Sequence, residues 1–210
     1  MKRALAITLL SSVAAVPLIG LGAPKAEGTL VGTLRSVWLR RHPMIVYLEN
    51  VEGNFPPPTN TPTIDQKNKM FVPHLLAVLR GTTIRYMNHD DTKHNVYFIQ
   101  PDGKKVNLGT GVGEWSKEYR MDQAGVYVHR CNIHEEMSAY VVVLDNPYYA
   151  LIDKRRSREP APFRLEGIPP GNYRLHVWCE RFYNKEGHKF NRTWDVSIKP
   201  GEATRIELEP

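Results

Sequence analysis

The amino-acid sequence predicts an all-β protein made of two small β-sandwiches, and two observations carry this prediction. From residue 28 onwards, short stretches that alternate apolar and polar residues, such as 83–87 and 193–198, are separated by turns rich in glycine and proline. Strands of this length and spacing, without the 3.6-residue periodicity of a helix, are typical of antiparallel sandwiches and Greek-key barrels. With 210 residues, the chain is also long enough for two domains that each bury a core.

The predicted strands follow the chain in three groups. Two strands, at residues 29–34 and 44–48, come first, and the proline-rich segment 53–62 then forms a linker. The second group comprises strands at residues 70–72, 75–79, 83–87, 96–99, 106–108, 115–120, 125–129 and 140–144. The third group, which follows the boundary at Asn146-Pro147, comprises strands at residues 148–152, 163–165, 173–178, 193–198 and 204–208.

The first 26 residues have the pattern of a secretory signal peptide. Lys2 and Arg3 precede an apolar run from residue 4 to residue 21, and small residues follow it. An uncleaved membrane anchor stays open as an alternative, because the apolar run is at the short limit for a spanning helix. Cleavage would remove three basic residues and no acidic residue, lowering the net charge from +6 to +3. We therefore expect a periplasmic or secreted protein.

The distribution of charge argues against a nucleic-acid partner. No cluster of lysine and arginine is interleaved with stacking aromatic residues, and no nucleic-acid-binding motif occurs. We expect contact with a membrane only if the N-terminal segment stays uncleaved.

The strongest chemical signal lies between residues 127 and 143, where a loop joins two predicted strands. Cys131, His134 and Met137 stand three residues apart in this loop. With one more imidazole they would form a trigonal His2Cys set with a weak axial methionine, the ligand set of an electron-transfer copper site. His94, just before the strand at 96–99, is our candidate for the missing ligand, because a strand start would hold it rigidly. His89 competes with it on the same loop.

Several assignments around this loop stay open. Glu135 and Glu136 are rivals of Met137 as axial ligands, and a carboxylate there would shift the site toward non-blue copper or another metal. His129 would share the strand face used by Cys131, as a packed core histidine or as a group supporting a ligand.

The cysteines offer a second interpretation. Export implies an oxidising compartment, and Cys131 and Cys179 are the only two cysteines, so one disulfide would be ordinary. The ligand-like spacing around Cys131 favours the metal site instead, with Cys179 as a buried free thiol.

These residues resemble those of a known family, the cupredoxins. The resemblance to plastocyanin/azurin-like proteins, and to secreted methylamine-utilisation-type proteins, rests on residues 70–73, 78–88, 94–96, 125–127 and the Cys131, His134, Met137 spacing, which is of the amicyanin type. It covers about residues 65–145 and implies a cupredoxin Greek-key β-sandwich with one type 1 copper ion. The implied equatorial ligands are His94, Cys131 and His134, with Met137 axial and Asn95 as a clamp on the Cys131 loop. Unlike amicyanin, this ligand loop has no proline, and its two glutamates suggest a basic or polar partner.

The strands at the C-terminal end resemble a carboxypeptidase regulatory-like, or transthyretin-like, module, mainly over residues 163–178. The first strands of that family resemble residues 28–49 here. Our hypothesis is that residues 27–55 and 146–210 form this small sandwich, with a cupredoxin domain at 60–145 inserted into it. The rival hypothesis assigns residues 28–50 to the cupredoxin itself.

Taken together, the sequence predicts a periplasmic type 1 copper protein that carries single electrons between redox partners such as a c-type cytochrome or a periplasmic oxidoreductase. Because the protein would fill all four ligand positions, we do not expect an enzyme. A copper-binding or delivery protein without electron transfer is the first alternative, and a structural β protein with a Cys131–Cys179 disulfide is the second.

Overall fold

A computed structural model describes residues 26–154, 159–182 and 192–210. Its strands are β1 Gly28–Leu34, β2 Met44–Glu49, β3 Thr63–Lys67, β4 Met70–Val72, β5 Leu75–Leu79, β6 Thr83–Asn88, β7 His94–Ile99, β8 Lys105–Gly111, β9 Ser116–Arg120, β10 Gly125–Arg130, β11 Ser138–Leu144, β12 Tyr149–Ile152, β13 Ala161–Ile168, β14 Gly171–Trp178, β15 Thr193–Ile198 and β16 Ala203–Leu208. Two short 3-10 helices, Trp38–Arg40 and Glu180–Phe182, complete the described elements. The all-β prediction is confirmed.

The N-terminal prediction lies outside this description. The proposed signal peptide, residues 1–26, falls beyond the described residues except for Ala26. Within the described ranges, no helix has the length and apolar character needed to span a membrane.

Strands β3 to β11 form one sandwich, called here the inner sandwich. A four-stranded sheet in the order β4-β3-β6-β9 faces a five-stranded sheet in the order β5-β11-β10-β7-β8. Apolar side chains from both sheets, including Ile84, Phe98 and Val141, fill the space between them. The sequence did not predict β3, because only Ile64 marks it as apolar. Buried Gln66 occupies its second inward position and donates to the carbonyl of Met87.

The remaining strands form the outer sandwich, from a three-stranded sheet β13-β1-β16 and a four-stranded sheet β12-β2-β14-β15. β1 pairs with β13 and β16, and β2 pairs with β12 and β14, so the first two strands share their sheets with the C-terminal part of the chain. This pairing is the one that the insertion hypothesis requires. The exact domain boundaries and the resemblance to a transthyretin-like module stay predictions.

The two sandwiches meet through a third apolar cluster. β11 sends Val141 and Val143 into the inner core, whereas its alternate residues Val142 and Leu144 face the outer sandwich. β2 likewise sends Ile45 and Tyr47 toward this junction, whereas Met44, Val46 and Leu48 enter the outer core. A strand buried on both faces needs an uninterrupted apolar sequence, which explains the apolar run at residues 141–144.

A polar bridge lies at the edge of this junction. Glu180 of the outer sandwich places Oε1 2.6 Å from Nδ1 of His42 and 3.0 Å from Nε2 of His74, which belongs to the inner sandwich. Burial alone would raise the pKa of Glu180, but the hydrogen bonds and charges of the two histidines outweigh it and lower the pKa from 4.5 to about 2. The folded state therefore favours the ionised carboxylate.

This pKa predicts a loss of stability in acid. Because the folded-state pKa is depressed, the contribution of Glu180 is complete above pH 4.5 and disappears as the pH falls toward 2. After allowance for solvent screening, the contribution is about 2 kcal/mol. Urea unfolding should show that the stability advantage of wild type over Glu180→Gln shrinks by this amount between pH 5 and pH 2. An advantage that stays constant with pH would contradict the assignment.

Candidate metal centre

Three of the predicted ligands meet at one end of the inner sandwich. One ligand atom each of His94, Cys131 and His134 lies within 4.8 Å of the others. The two Nδ1 atoms of the histidines are 3.0 Å apart. His94 is 0% exposed and Cys131 is 3% exposed, whereas His134 is only partly buried. The cluster thus reaches the surface through the ring of His134.

The strand order explains why these residues converge. β7, β10 and β11 are neighbours in the five-stranded sheet, with Arg130 at the end of β10 opposite Tyr97 of β7. The loop after β10 therefore passes beside the start of β7, where His94 stands. Gly111 pairs with His94 from β8, and the ring of Trp115 lies where a side chain at Gly111 would be, so a larger residue would not fit.

The sulfur of Cys131 receives two backbone contacts. The N–H groups of Asn95 and Ile133 both point at Sγ from 3.4 Å. Donors directed at sulfur suit a thiolate, the form of cysteine that binds metals. In the described structure Cys131 and Cys179 are both free and buried.

The expected contact of Asn95 with the Cys131 loop is made by its backbone N–H, which points at Sγ of Cys131. The side chain of Asn95 bonds elsewhere. Its amide nitrogen donates to Asn107, at 2.9 Å, and to the carbonyl of Gly109, at 2.8 Å, both on β8. The side chain therefore fastens β7 to β8, where the pairing of these strands is irregular.

The possible axial ligands differ in burial. Met137 is 1% exposed and packs in the same core cluster as Cys131, whereas Glu135 and Glu136 are exposed. The backbone N–H of Met137 donates to the carbonyl of His134 at 3.1 Å, which tightens the loop. Burial therefore favours Met137 over the two carboxylates, and its axial role stays a prediction.

Asp90 supports His94 from behind. Its Oδ2 lies 2.6 Å from Nε2 of His94. The same carboxylate accepts the backbone N–H groups of Asn68, at 2.6 Å, and Lys69, at 2.9 Å. Burial alone would raise the pKa of Asp90, but these N–H groups and the His94 ring lower it. Because Nε2 donates to this carboxylate, Nδ1 of neutral His94 keeps its lone pair facing His134.

The donors to Asp90 come from a tight hairpin. Asn68 and Lys69 form the two-residue connection between β3 and β4, and both have φ near +54°. Positive φ at both positions is the mark of a type I′ turn, in which asparagine is common and lysine is not. The sequence contained no sign that this turn would support a ligand, because Asn68 and Lys69 lie more than 20 residues before His94.

The other histidines of the inner sandwich have different roles. His129 is completely buried, which lowers its pKa to about 3, so it is neutral. Its Nδ1 faces the carbonyl of Tyr127 at 3.3 Å, and its Nε2 accepts the hydroxyl of Tyr86 at 2.8 Å. His89 is half exposed and pairs with Asp65. The structure thus places His129 in the core and His89 outside the cluster.

The pairing of Tyr86 with His129 predicts a clear mutational effect. Tyr86→Phe removes the only hydroxyl that satisfies Nε2 of His129 in the described core, so we expect a loss of about 1 to 3 kcal/mol in the unfolding free energy. Urea unfolding of the metal-free protein at pH 7 measures it. Tyr119→Phe is the control, because Tyr119 is less buried and water can replace its contact with Gln100. Equal losses in the two variants would contradict the prediction.

The donor set fits a soft or borderline metal ion. Two Nδ1 atoms facing each other at 3.0 Å can share only one proton, whereas a cation among them and Sγ would satisfy every lone pair. A thiolate with two imidazoles is a ligand set suited to copper or zinc. The His94, Cys131 and His134 group can therefore bind a metal.

Known proteins give a limited comparison. No protein-family model and no curated protein matches the sequence. Among solved structures, a reduced mutant of amicyanin has 21% identity, with 47% of this chain and 97% of that chain covered and a TM-score of 0.38. A purple cupredoxin from Nitrosopumilus maritimus has 24% identity, with 39% and 98% covered and a TM-score of 0.35. Neither likeness assigns a ligand or a function to this chain.

Proposed function

We propose that this protein is a type 1 copper protein of the cupredoxin kind, which carries single electrons between redox partners. One observation carries the proposal: Nδ1 of His94, Sγ of Cys131 and a ring nitrogen of His134 converge in a largely buried site, with Met137 in the same core cluster as Cys131. One copper ion held there would supply one-electron exchange between Cu(II) and Cu(I).

Electron exchange would be fast because the ligand side chains are held in place by their neighbours and would move little between Cu(II) and Cu(I). The N–H groups of Asn95 and Ile133 hold the sulfur, and Asp90 fixes the ring of His94. Asn95 belongs to β7, Ile133 belongs to the ligand loop, and Asp90 is itself held by the tight turn at Asn68 and Lys69, so the ligand geometry is set before metal binds. With Met137 as the fourth ligand, no position is open to a substrate, so we do not propose an enzyme.

The partner would approach at the partly buried ring of His134. Next to it Ile133 is 47% exposed, and the exposed carboxylates of Glu135 and Glu136 follow. An apolar contact with acidic neighbours suits a partner with a basic rim, such as a c-type cytochrome or a periplasmic oxidoreductase. The N-terminal sequence pattern supports a periplasmic or secreted location.

Electron exchange is the direct test. The protein lacking residues 1–26 is loaded with one equivalent of Cu(II) and mixed with a reduced c-type cytochrome. We expect oxidation of the cytochrome and bleaching of the copper band with the same time course, reversed by an oxidised cytochrome of higher potential. A copper complex that never exchanges electrons, but passes Cu(I) to a metal-free acceptor, would favour the delivery alternative.

A further inference from the structure

We propose that the outer sandwich positions the metal loop of the inner sandwich, with Glu180 and His74 as the positioning residues. The inference rests on the proposed copper function, because its spectroscopic test reads the metal centre. It assigns a role to the second sandwich, whose described residues contribute no ligand to the His94, Cys131 and His134 cluster.

His74 grips the start of β11 in three ways. Its Nδ1 lies 2.9 Å from the carbonyl oxygen of Ser138, and its own carbonyl accepts the N–H of Tyr140 at 2.9 Å. Its ring also packs edge-on against the ring of Tyr140. Ser138 directly follows Met137, so the position of His74 determines where the ligand loop ends and where Met137 stands.

Glu180 fixes His74 from the other sandwich. Nε2 of His74 faces Oε1 of Glu180, and Nδ1 faces the carbonyl of Ser138, so both partners are acceptors. The second contact of Oε1, with Nδ1 of His42 at 2.6 Å, fixes the carboxylate itself. A continuous series of contacts therefore joins His42, Glu180, His74 and Ser138.

Apolar packing at the junction between the two sandwiches holds the two sides of this polar bridge together. Leu75, next to His74, and Val142, on β11, pack in the junction cluster with Ile45 and Trp178 of the outer sandwich. The apolar cluster holds the two sandwiches together, whereas the polar bridge acts on the end of the ligand loop. Loss of the bridge should thus loosen the start of β11 without separating the sandwiches.

Glu180→Gln tests the proposal, because it removes the charge while keeping the shape. The matched control is Glu49→Gln, which removes the carboxylate that pairs with His176 at 2.9 Å within the outer sandwich. In the metal-free protein we expect the amide of Tyr140 to exchange with solvent on the order of tenfold faster in Glu180→Gln and at the wild-type rate in Glu49→Gln. In the copper-loaded protein we expect shifts in the visible band ratio and the reduction potential, because the axial ligand tunes both.

The outcomes separate the two proposals. A wild-type protein that gives no coloured copper complex overturns the proposed function, while the amide exchange rates still test the bridge. A coloured wild type with unchanged exchange, spectrum and potential in Glu180→Gln overturns the positioning role. So do equal changes in Glu49→Gln. If Glu180→Gln does not fold, Glu180→Asp, which withdraws the charge by one methylene, replaces it in the same measurements.

Discussion

Copper-loaded Cys131→Ser is expected to be colourless, whereas the wild-type protein should be intensely coloured. Sγ is the only thiolate donor in the cluster of His94, Cys131 and His134, and a serine hydroxyl gives no thiolate-to-copper charge transfer. The visible spectrum after addition of one equivalent of Cu(II) measures this loss. Electron paramagnetic resonance should show a narrow copper hyperfine splitting in the wild type and an ordinary, wider one in the variant.

Cys179→Ala is the control for this experiment. Cys179 is the other cysteine of the chain, and it lies fully buried in the outer core, where burial raises the pKa of its thiol to about 11. Such a thiol has little tendency to ionise or bind metal. The colour should survive in Cys179→Ala, and a colour that survives in Cys131→Ser would rule out Cys131 as the ligand.

Asp90→Asn is expected to weaken copper binding by about 10- to 100-fold, the usual effect of losing a partner that orients a metal ligand. Oδ1 of Asp90 accepts from Asn68, and Oδ2 accepts from Lys69 and from His94. An asparagine replaces one of these oxygens by an NH2 group, which would face at least one N–H donor. The ring of His94 would lose its orientation or its fixed proton. Competition against a chelator of known affinity measures the change.

Asp91→Asn is the matched control for Asp90→Asn. Asp91 carries the same charge one residue further along, is exposed, and accepts a hydrogen bond from the hydroxyl of its neighbour Thr92. Copper affinity in this variant should stay within about twofold of wild type, because exposed charges are strongly screened. A similar loss in both variants would mean that the negative charge, and not the orientation of His94, is what matters.

The sequence was most informative where the residues of the candidate site lie close together in the chain. Cys131 and His134 stand in one loop, so their spacing alone brings them together, and His94 could be selected because a strand begins beside it. The alternating patterns likewise located most strands, because a strand buried on one face has an apolar residue at every second position.

Contacts between distant segments could not be predicted. Asp90 is one of several acidic residues near a turn, and its role depends on the hairpin at Asn68 and Lys69. The backbone N–H groups of these two residues donate to Asp90, and such backbone contacts cannot be inferred from residue types. Glu180 and His74 are 106 residues apart, and only the packing of the two sandwiches brings them together. Asn95 contacts the Cys131 loop as expected, through its backbone N–H, but the bonds of its side chain to β8 depend on a strand pairing that is not encoded locally.

The crossing between the sandwiches has a consequence for the order of folding. Where the chain leaves the outer sandwich and returns to it, Asn146 donates to the carbonyl of Leu48 at 2.8 Å, although the two are 98 residues apart in sequence. The entropic cost of closing a loop grows with the logarithm of its length, so a folded inner sandwich in place of a flexible chain would lower the cost of bringing the outer strands together. We therefore expect the inner sandwich to form first and the outer sandwich to assemble around its two ends.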